Sequence, residues 1–303
     1  MDQVEECPAD SGLAGKAKVC EGCPGQVFCR SQGGVDPDQE TIDIRMNVIK
    51  HKILVVSGKG GVGKSTVACM LAQMLASQTN KVGVVDLDIC GPSVPKLLSV
   101  EGQAIITSNY GWKTLVSPHN GIKVMSVGAM LQSDTDSVVF RGPRKTGLIK
   151  RFFKDTFWGK LDYLICDTPP GTSDEHLTAV KVLKNVKPDG AIIVTTPQGV
   201  SIATVKREIN FCRKMGVKIL GLVVNMKSYV CPCCDEVTDI FPEDEIEKLS
   251  QEQQIPILTS IPLDSRITAC CETGQDPVTC NPDSPVIHCM EQLVKTLCDF
   301  INR

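Results

Sequence analysis

Several features that would assign this 303-residue chain to a broad class are missing from it. No uninterrupted apolar run approaches the ~18 residues of a membrane span, so no membrane is expected as a partner. Aromatic residues make up only 4% of the chain, too few for a base-stacking platform. Neither sign of charge dominates. The formal net charge is −3, which gives no electrostatic case for nucleic acid or an anionic surface. Met1 to Glu6 is acidic and carries no apolar segment, so no secretory signal is expected. What remains is ordinary: 42% apolar and 22% charged residues suit a soluble fold with a substantial core.

Cysteine is the exception, at sixteen residues. In a secreted chain that count would read as a disulfide framework. Without a signal, clustered thiols point instead to metal or iron–sulfur ligation in a reducing compartment, with the cytosol as the expected address. The four histidines, His51, His119, His176 and His288, lie far apart, and solvated or capping roles account for them.

Residues 7–40 are rich in Gly, Cys, Pro, Gln and Asp without periodicity and read as an irregular arm, so the expected domains are 1–40 and 41–303. From Ile49 onward, short β-branched runs alternate with helical segments. Strands are predicted at 53–57, 82–86, 122–127, 163–167, 191–195, 219–225 and 257–261. Helices are predicted at 64–77, 144–155, 173–183, 201–214, 243–253 and 286–302, with a loop or hairpin insertion at 101–119. This alternation implies an α/β fold: a mostly parallel sheet with helices on both faces.

The most specific segment is Gly58-Lys59-Gly60-Gly61-Val62-Gly63-Lys64-Ser65-Thr66, which follows an apolar strand and opens a helix. That setting turns the pattern G-x-x-x-x-G-K-[ST] into a phosphate-binding loop, because glycines let successive N–H groups turn inward and the helix start adds its positive end. Lys64 is expected to reach the β- and γ-phosphates of ATP, and Ser65 to ligate Mg²⁺. Asp86 and Asp88 end a predicted strand, where the carboxyl ends of a parallel sheet face the ligand crevice, and either can address the γ-phosphate. Asp167 closes another apolar strand and suits Mg²⁺ held through water. The following Pro169-Pro170-Gly171 turn can present the Gly171 N–H to the γ-phosphate and so sense ATP against ADP. Asn225 ends a further strand.

The cysteines form two constellations. Cys7, Cys20, Cys23 and Cys29 in the arm can wrap one ion or one cubane cluster, and their spacing accepts zinc and iron–sulfur alike. Cys231-Pro232-Cys233-Cys234 contains a C-x-x-C pair, Cys231 and Cys234. Two ligands cannot complete a four-ligand site, but a dimer with its axis near this loop can supply two from each subunit. A thioredoxin-like redox pair is the competing reading. Cys270, Cys271, Cys280, Cys289 and Cys298 fit no compact site.

Lys59, a second lysine after the first glycine, resembles the deviant Walker A group, in which that lysine reaches across a dimer to the partner's nucleotide. Taken with Cys20-Glu21-Gly22-Cys23-Pro24, Asp86 to Pro95, Arg141 to Lys145, Asp167 to Glu175 and Cys231 to Cys234, the chain resembles the Mrp/nucleotide-binding-protein family of iron–sulfur scaffold ATPases. Within it, the likeness is to the eukaryotic nucleotide-binding protein 1 branch with the four-cysteine arm. The resemblance implies a nitrogenase-iron-protein-like P-loop fold that hydrolyses ATP, with Asp88 handling the attacking water and Asn225 contacting adenine. It implies a [4Fe–4S] cluster on Cys7, Cys20, Cys23 and Cys29, and a second, transferable [4Fe–4S] cluster bridging two subunits through Cys231 and Cys234. It further implies a homodimer or a heterotetramer with a shorter paralogue lacking the arm, and handover of clusters to cytosolic and nuclear apoproteins. Two rivals remain open at this stage: a spatial-positioning ATPase with a zinc-bound arm, and an ATP-driven electron donor.

Overall fold

The computed structural model describes residues 16–18, 21, 37–130, 142–234, 236–241 and 244–301. The chain divides into two units, Met1–Ile44 and Arg45–Arg303. Helix α1 (Gln39–Asn47) spans that division, and Gln39 donates to the Asp43 carboxylate one turn on, at 2.7 Å. The sequence reading assigns no element to residues 41–48. In the helix, Ile42 and Met46 are fully buried and Ile44 is exposed.

The second unit is an α/β fold. Its strands are β1 (Ile49–Val56), β2 (Val82–Asp86), β3 (Ile106–Ser108), β4 (Gly111–Lys113), β5 (Leu115–Val116), β6 (Lys123–Met125), β7 (Thr156–Phe157), β8 (Leu161–Asp167), β9 (Gly190–Thr195), β10 (Ile219–Val230), β11 (Val237–Asp239) and β12 (Ile257–Leu263). The main sheet runs β11-β10-β9-β1-β8-β2-β6-β5, with β12 also paired to β10. Its pairs are parallel except β10–β11 and β5–β6. Every residue of β2 and β9 is buried, as expected of strands covered on both faces. Residues 101–119 contribute the expected hairpin, β3–β4, which pairs with β7 in a separate small sheet.

After the hairpin-free turn that follows β1 comes helix α2 (Lys64–Ser77), whose predicted limits match those observed. The remaining helices are α3 (Val94–Leu97), α4 (Gly142–Lys154), α5 (Asp174–Leu183), α6 (Gly199–Met215), α7 (Asp244–Gln253), α8 (Ser265–Thr273), α9 (Pro277–Cys280) and α10 (Pro285–Ile301). On α10, Ile287, Met290, Val294 and Leu297 recur at three- and four-residue spacing and join Val67, Leu71 and Leu75 of α2 in the core. Helices α8 and α9 are unpredicted. Each starts on an aspartate cap: Asp264 accepts from the Arg266 N–H at 2.9 Å and Asp276 from the Val278 N–H at 3.0 Å.

Strand β10 is longer than predicted because its distal half gains a partner. Val230 pairs with Val237 and Ser228 with Asp239, making a β10–β11 hairpin beyond the register shift after Asn225. The C-x-x-C loop is the tip of that hairpin. Five residues lie between Asn225 and Cys231, so at ~3.3 Å per residue those six steps set Cys231 at most about 20 Å from Asn225.

Candidate nucleotide site and cysteine hairpin

Strands β1, β2, β8 and β9 are mutually parallel, so their carboxyl ends share one edge of the sheet. The turn after β1 wraps a cavity of about 520 Å³ lined by Lys59 through Thr66, with Asp88, Ser93 and Pro170 on its walls and Lys96, Glu101 and Cys271 on its rim. Gly58, Asp167, Gly171 and Asn225 are not among its lining residues. No sequence signal pointed to Cys271, because its helix, α8, has no recognisable motif.

Two glycines of the loop are demanded by close approach. A Cβ on Gly58 would lie 2.6 Å from the Thr204 backbone on α6. A Cβ on Gly63, whose φ is +79°, would lie 2.2 Å from the Asn225 amide nitrogen. Asn225 is buried, and its amide donates to the Val62 carbonyl at 2.9 Å, so in this structure it braces the loop from β10. The Lys59 ammonium donates to the Gln198 side chain at 2.9 Å, at the start of α6.

Beneath the loop, the Lys64 ammonium is bonded to Asp167 Oδ1 and lies 3.3 Å from the Ser65 hydroxyl. Asp167 is fully buried, and its Oδ2 has no hydrogen-bond partner among the described residues. A buried carboxylate oxygen without a donor, beside a serine hydroxyl, fits a Mg²⁺ ion, held directly or through water. The two acids of Asp86-Leu87-Asp88 separate sharply. Asp86 is fully buried, accepts from Ser126 Oγ at 2.9 Å and from the Asp88 N–H at 3.1 Å. Burial, reinforced by the neighbouring Asp167 charge, pushes its carboxyl up to about 8. Asp88 faces the cavity and is raised by partial burial, which suits a group that orients or takes a proton from water.

The Lys145 ammonium bonds Cys90 Sγ at 2.9 Å and Glu175 at 2.8 Å. It thereby ties the loop after Asp88 to the start of α5. Arg141 lies outside the described residues. The turn after β8 is anchored too: the Gly171 N–H donates to the Ser57 carbonyl at 2.8 Å, and His176 Nδ1 lies 2.8 Å from the Gly171 carbonyl. His176 is fully buried, contrary to the solvated role read from sequence, because α5 carries it under the turn.

At the hairpin tip, Cys233 and Cys234 are exposed and Cys231 is half-buried. The Cys231 thiol is lowered chiefly by the backbone N–H groups of Cys233 and Cys234, which point at its sulfur. Such donors favour the thiolate, the form that binds metals. Among the described residues, no group of three or more Cys, His, Asp or Glu side chains could hold a metal ion. Cys7, Cys20, Cys23 and Cys29 lie outside the described residues. Cys69, Cys166 and Cys212 are buried in the core.

A glycine loop opening a helix at the carboxyl edge of a parallel sheet, with a lysine and a magnesium-type aspartate at its base, defines a P-loop NTPase. A family model described as "ParA: NUBPL iron-transfer P-loop NTPase" matches residues 48–298, and the chain belongs to that family. Nucleotide hydrolysis follows from that membership. Among solved structures, the nucleotide-binding protein of Archaeoglobus fulgidus, in complex with ADP and with cobalt found, is 38% identical. The match covers 78% of this chain and 92% of that one, with a TM-score of 0.69. The cell division ATPase MinD of Pyrococcus furiosus is 24% identical over 83% of this chain and 99% of that one, with a TM-score of 0.64. A ParA family ATPase of Chlorobium tepidum is 17% identical over 84% and 99%, at a TM-score of 0.58. These last two likenesses concern the fold.

Proposed function

We propose that this chain is an ATP-hydrolysing scaffold for iron–sulfur cluster assembly, belonging to the nucleotide-binding protein 1 branch. Two subunits join around ATP, and the Cys231 and Cys234 thiolates of both hold one [4Fe–4S] cluster as cargo, which passes on to apoproteins. The observation that carries this reading is the half-complete thiolate site at the tip of the β10–β11 hairpin, in a member of an iron-transfer family.

Within the reading, each residue has a task. Ser65 and Asp167 hold Mg²⁺, which neutralises charge on the phosphates. Lys64 leaves Asp167 to meet the β- and γ-phosphates, and Asp88 orients the attacking water. Asn225 keeps the loop in shape and borders the adenine. Lys59 leaves Gln198 for the partner's nucleotide, while the Gly171 N–H exchanges the Ser57 carbonyl for the γ-phosphate. These exchanges bias the dimer between two arrangements and so couple nucleotide to cargo. The arm cysteines Cys7, Cys20, Cys23 and Cys29 hold a resident [4Fe–4S] cluster. The partner is a second copy or a shorter paralogue in a heterotetramer, the recipients are cytosolic and nuclear apoproteins, and the setting is the cytoplasm.

Iron, acid-labile sulfide and zinc measured on anaerobically purified protein test this directly. Changing Cys231 and Cys234 together to Ala is expected to remove one cluster's iron and sulfide per dimer and to leave the arm's share. Unaltered iron and sulfide content sinks the assignment. A colourless protein with stoichiometric zinc favours a positioning ATPase with a zinc-bound arm.

A further inference from the structure

Buried polar atoms without partners are rare, and each one calls for a physical reason. Three of them sit together under the Pro169-Pro170-Gly171 turn. Glu208 on α6 is 1% exposed, and neither carboxyl oxygen has a hydrogen-bond partner among the described residues. His176 on α5 is 0% exposed and its Nε2 is likewise unpartnered. Its Nδ1 is engaged: it lies 2.8 Å from the Gly171 carbonyl, which can only accept, so Nδ1 carries the proton. Glu208 Oε1 waits 3.4 Å from the same Nδ1 without forming a hydrogen bond.

We propose that His176 and Glu208 are positioning residues forming a buried hydrogen-bond toggle, in which the Nδ1–H leaves the Gly171 carbonyl for Glu208 Oε1 when the turn moves. The proposal rests on the reading of Gly171 as the γ-phosphate sensor. If the turn shifts so that the Gly171 N–H passes from Ser57 to a phosphate, the displaced glycine carries its carbonyl away from His176, which would lose that hydrogen bond. Glu208 offers a replacement acceptor already in place, and an orphan oxygen becomes satisfied in the same motion. A buried donor left unpaired is costly, so a waiting acceptor makes the turn easier to move.

The surroundings keep the pair uncharged at neutral pH. Burial pushes Glu208 up to about 8 and lowers His176, with the Lys64 charge adding to the latter. Cys212, one turn further along α6, has its thiol pushed up to about 12 by burial and by Glu208. The Phe211 ring closes the site 4.6 Å from the imidazole. A neutral pair can exchange hydrogen bonds without moving charge through a low-dielectric interior. Helix α6 is well connected to receive the motion. Its Thr204 packs against Gly58, and Gln198 before its first turn holds Lys59.

Titration calorimetry of the full-length protein with Mg²⁺ and either ADP or a non-hydrolysable ATP analogue tests the toggle. Glu208→Met is expected to weaken the ATP analogue about tenfold while ADP stays within twofold. Its melting temperature should hold or rise, since an unpartnered buried acid is removed. His176→Phe should show the same selective loss, and His176→Asn, whose amide nitrogen can stand in for Nδ1, should recover most of it. An analogue-to-ADP ratio within twofold of wild type in Glu208→Met overturns the toggle alone. So does a parallel fall in both affinities with a lower melting temperature, which marks a packing role. Should His176→Phe not fold, Glu208→Met decides. Wild-type protein that binds both nucleotides equally overturns the sensor reading and the toggle with it.

Discussion

At the nucleotide edge the charges of this chain are buried and matched inside one subunit: Lys64 against Asp167, Ser126 against Asp86, Asn225 against the loop carbonyl of Val62. At the hairpin tip Cys233 and Cys234 are exposed and Cys231 is half-buried, its thiol lowered chiefly by backbone N–H groups. The first region is built before any ligand arrives. The second offers one C-x-x-C pair per chain, half of what the proposed four-thiolate site needs. On the proposed function, cargo binding at the hairpin is conditional on pairing of subunits.

The contrast predicts a graded set of losses. Largest should be Lys64→Met, which removes the phosphate contact and strands a buried carboxylate. Phosphate release should fall by at least about 100-fold. Stability in urea should drop by about 3–5 kcal/mol, the usual consequence of breaking a buried ion pair on one side. Unchanged stability would mean that the buried pair is not what holds this edge together.

An intermediate effect belongs to the buried acids. Glu208 titrates near 4.5 when unfolded and at about 8 in the fold, so its stabilising contribution is complete below 4.5 and disappears as pH rises to about 8. Glu208→Gln should therefore match wild type in thermal melts at pH 5 and exceed it by about 5 °C at pH 8. Asp86, raised for the same reason, gives the wild-type protein a second fall over that window. A variant that gains equally at both pH values would refute the assignment of burial as the cause.

The smallest effects are expected at the hairpin. In metal-free protein, Cys231→Ala with Cys234→Ala should leave the urea midpoint nearly unmoved, since Cys234 is exposed and Cys231 only half-buried. Iodoacetamide at pH 7.5 should label Cys231 a few times faster than Cys234 and leave Cys69 and Cys166 untouched, as read by peptide mass spectrometry. Faster labelling at the core cysteines would show that the two regions do not differ in the way described.

Much of the nucleotide edge was legible because its signals are contiguous. The loop from Gly58 to Thr66, the helix from Lys64 to Ser77 and the strand from Val82 to Asp86 are each specified by neighbours within a dozen residues. The hairpin was only half legible. Val230 finds Val237 across a turn that contains the cysteines, and no periodicity in 219–230 announces where pairing resumes after Asn225. His176 misled because an isolated histidine carries no sign of burial, and its neighbour Glu208 sits on a different helix. The contacts of Lys145 were equally illegible, because Cys90 and Glu175 reach it from distant segments.

Residue order alone was enough for the phosphate loop, the alternation of strands and helices, and the pairing of two cysteines three positions apart, since each depends on local backbone geometry. Folding in three dimensions chose which of Asp86 and Asp88 meets the cavity, turned Asn225 toward Val62, and set Glu208 beside His176. Those outcomes depend on burial and on contacts between distant segments, and neither property is written in any short stretch of chain.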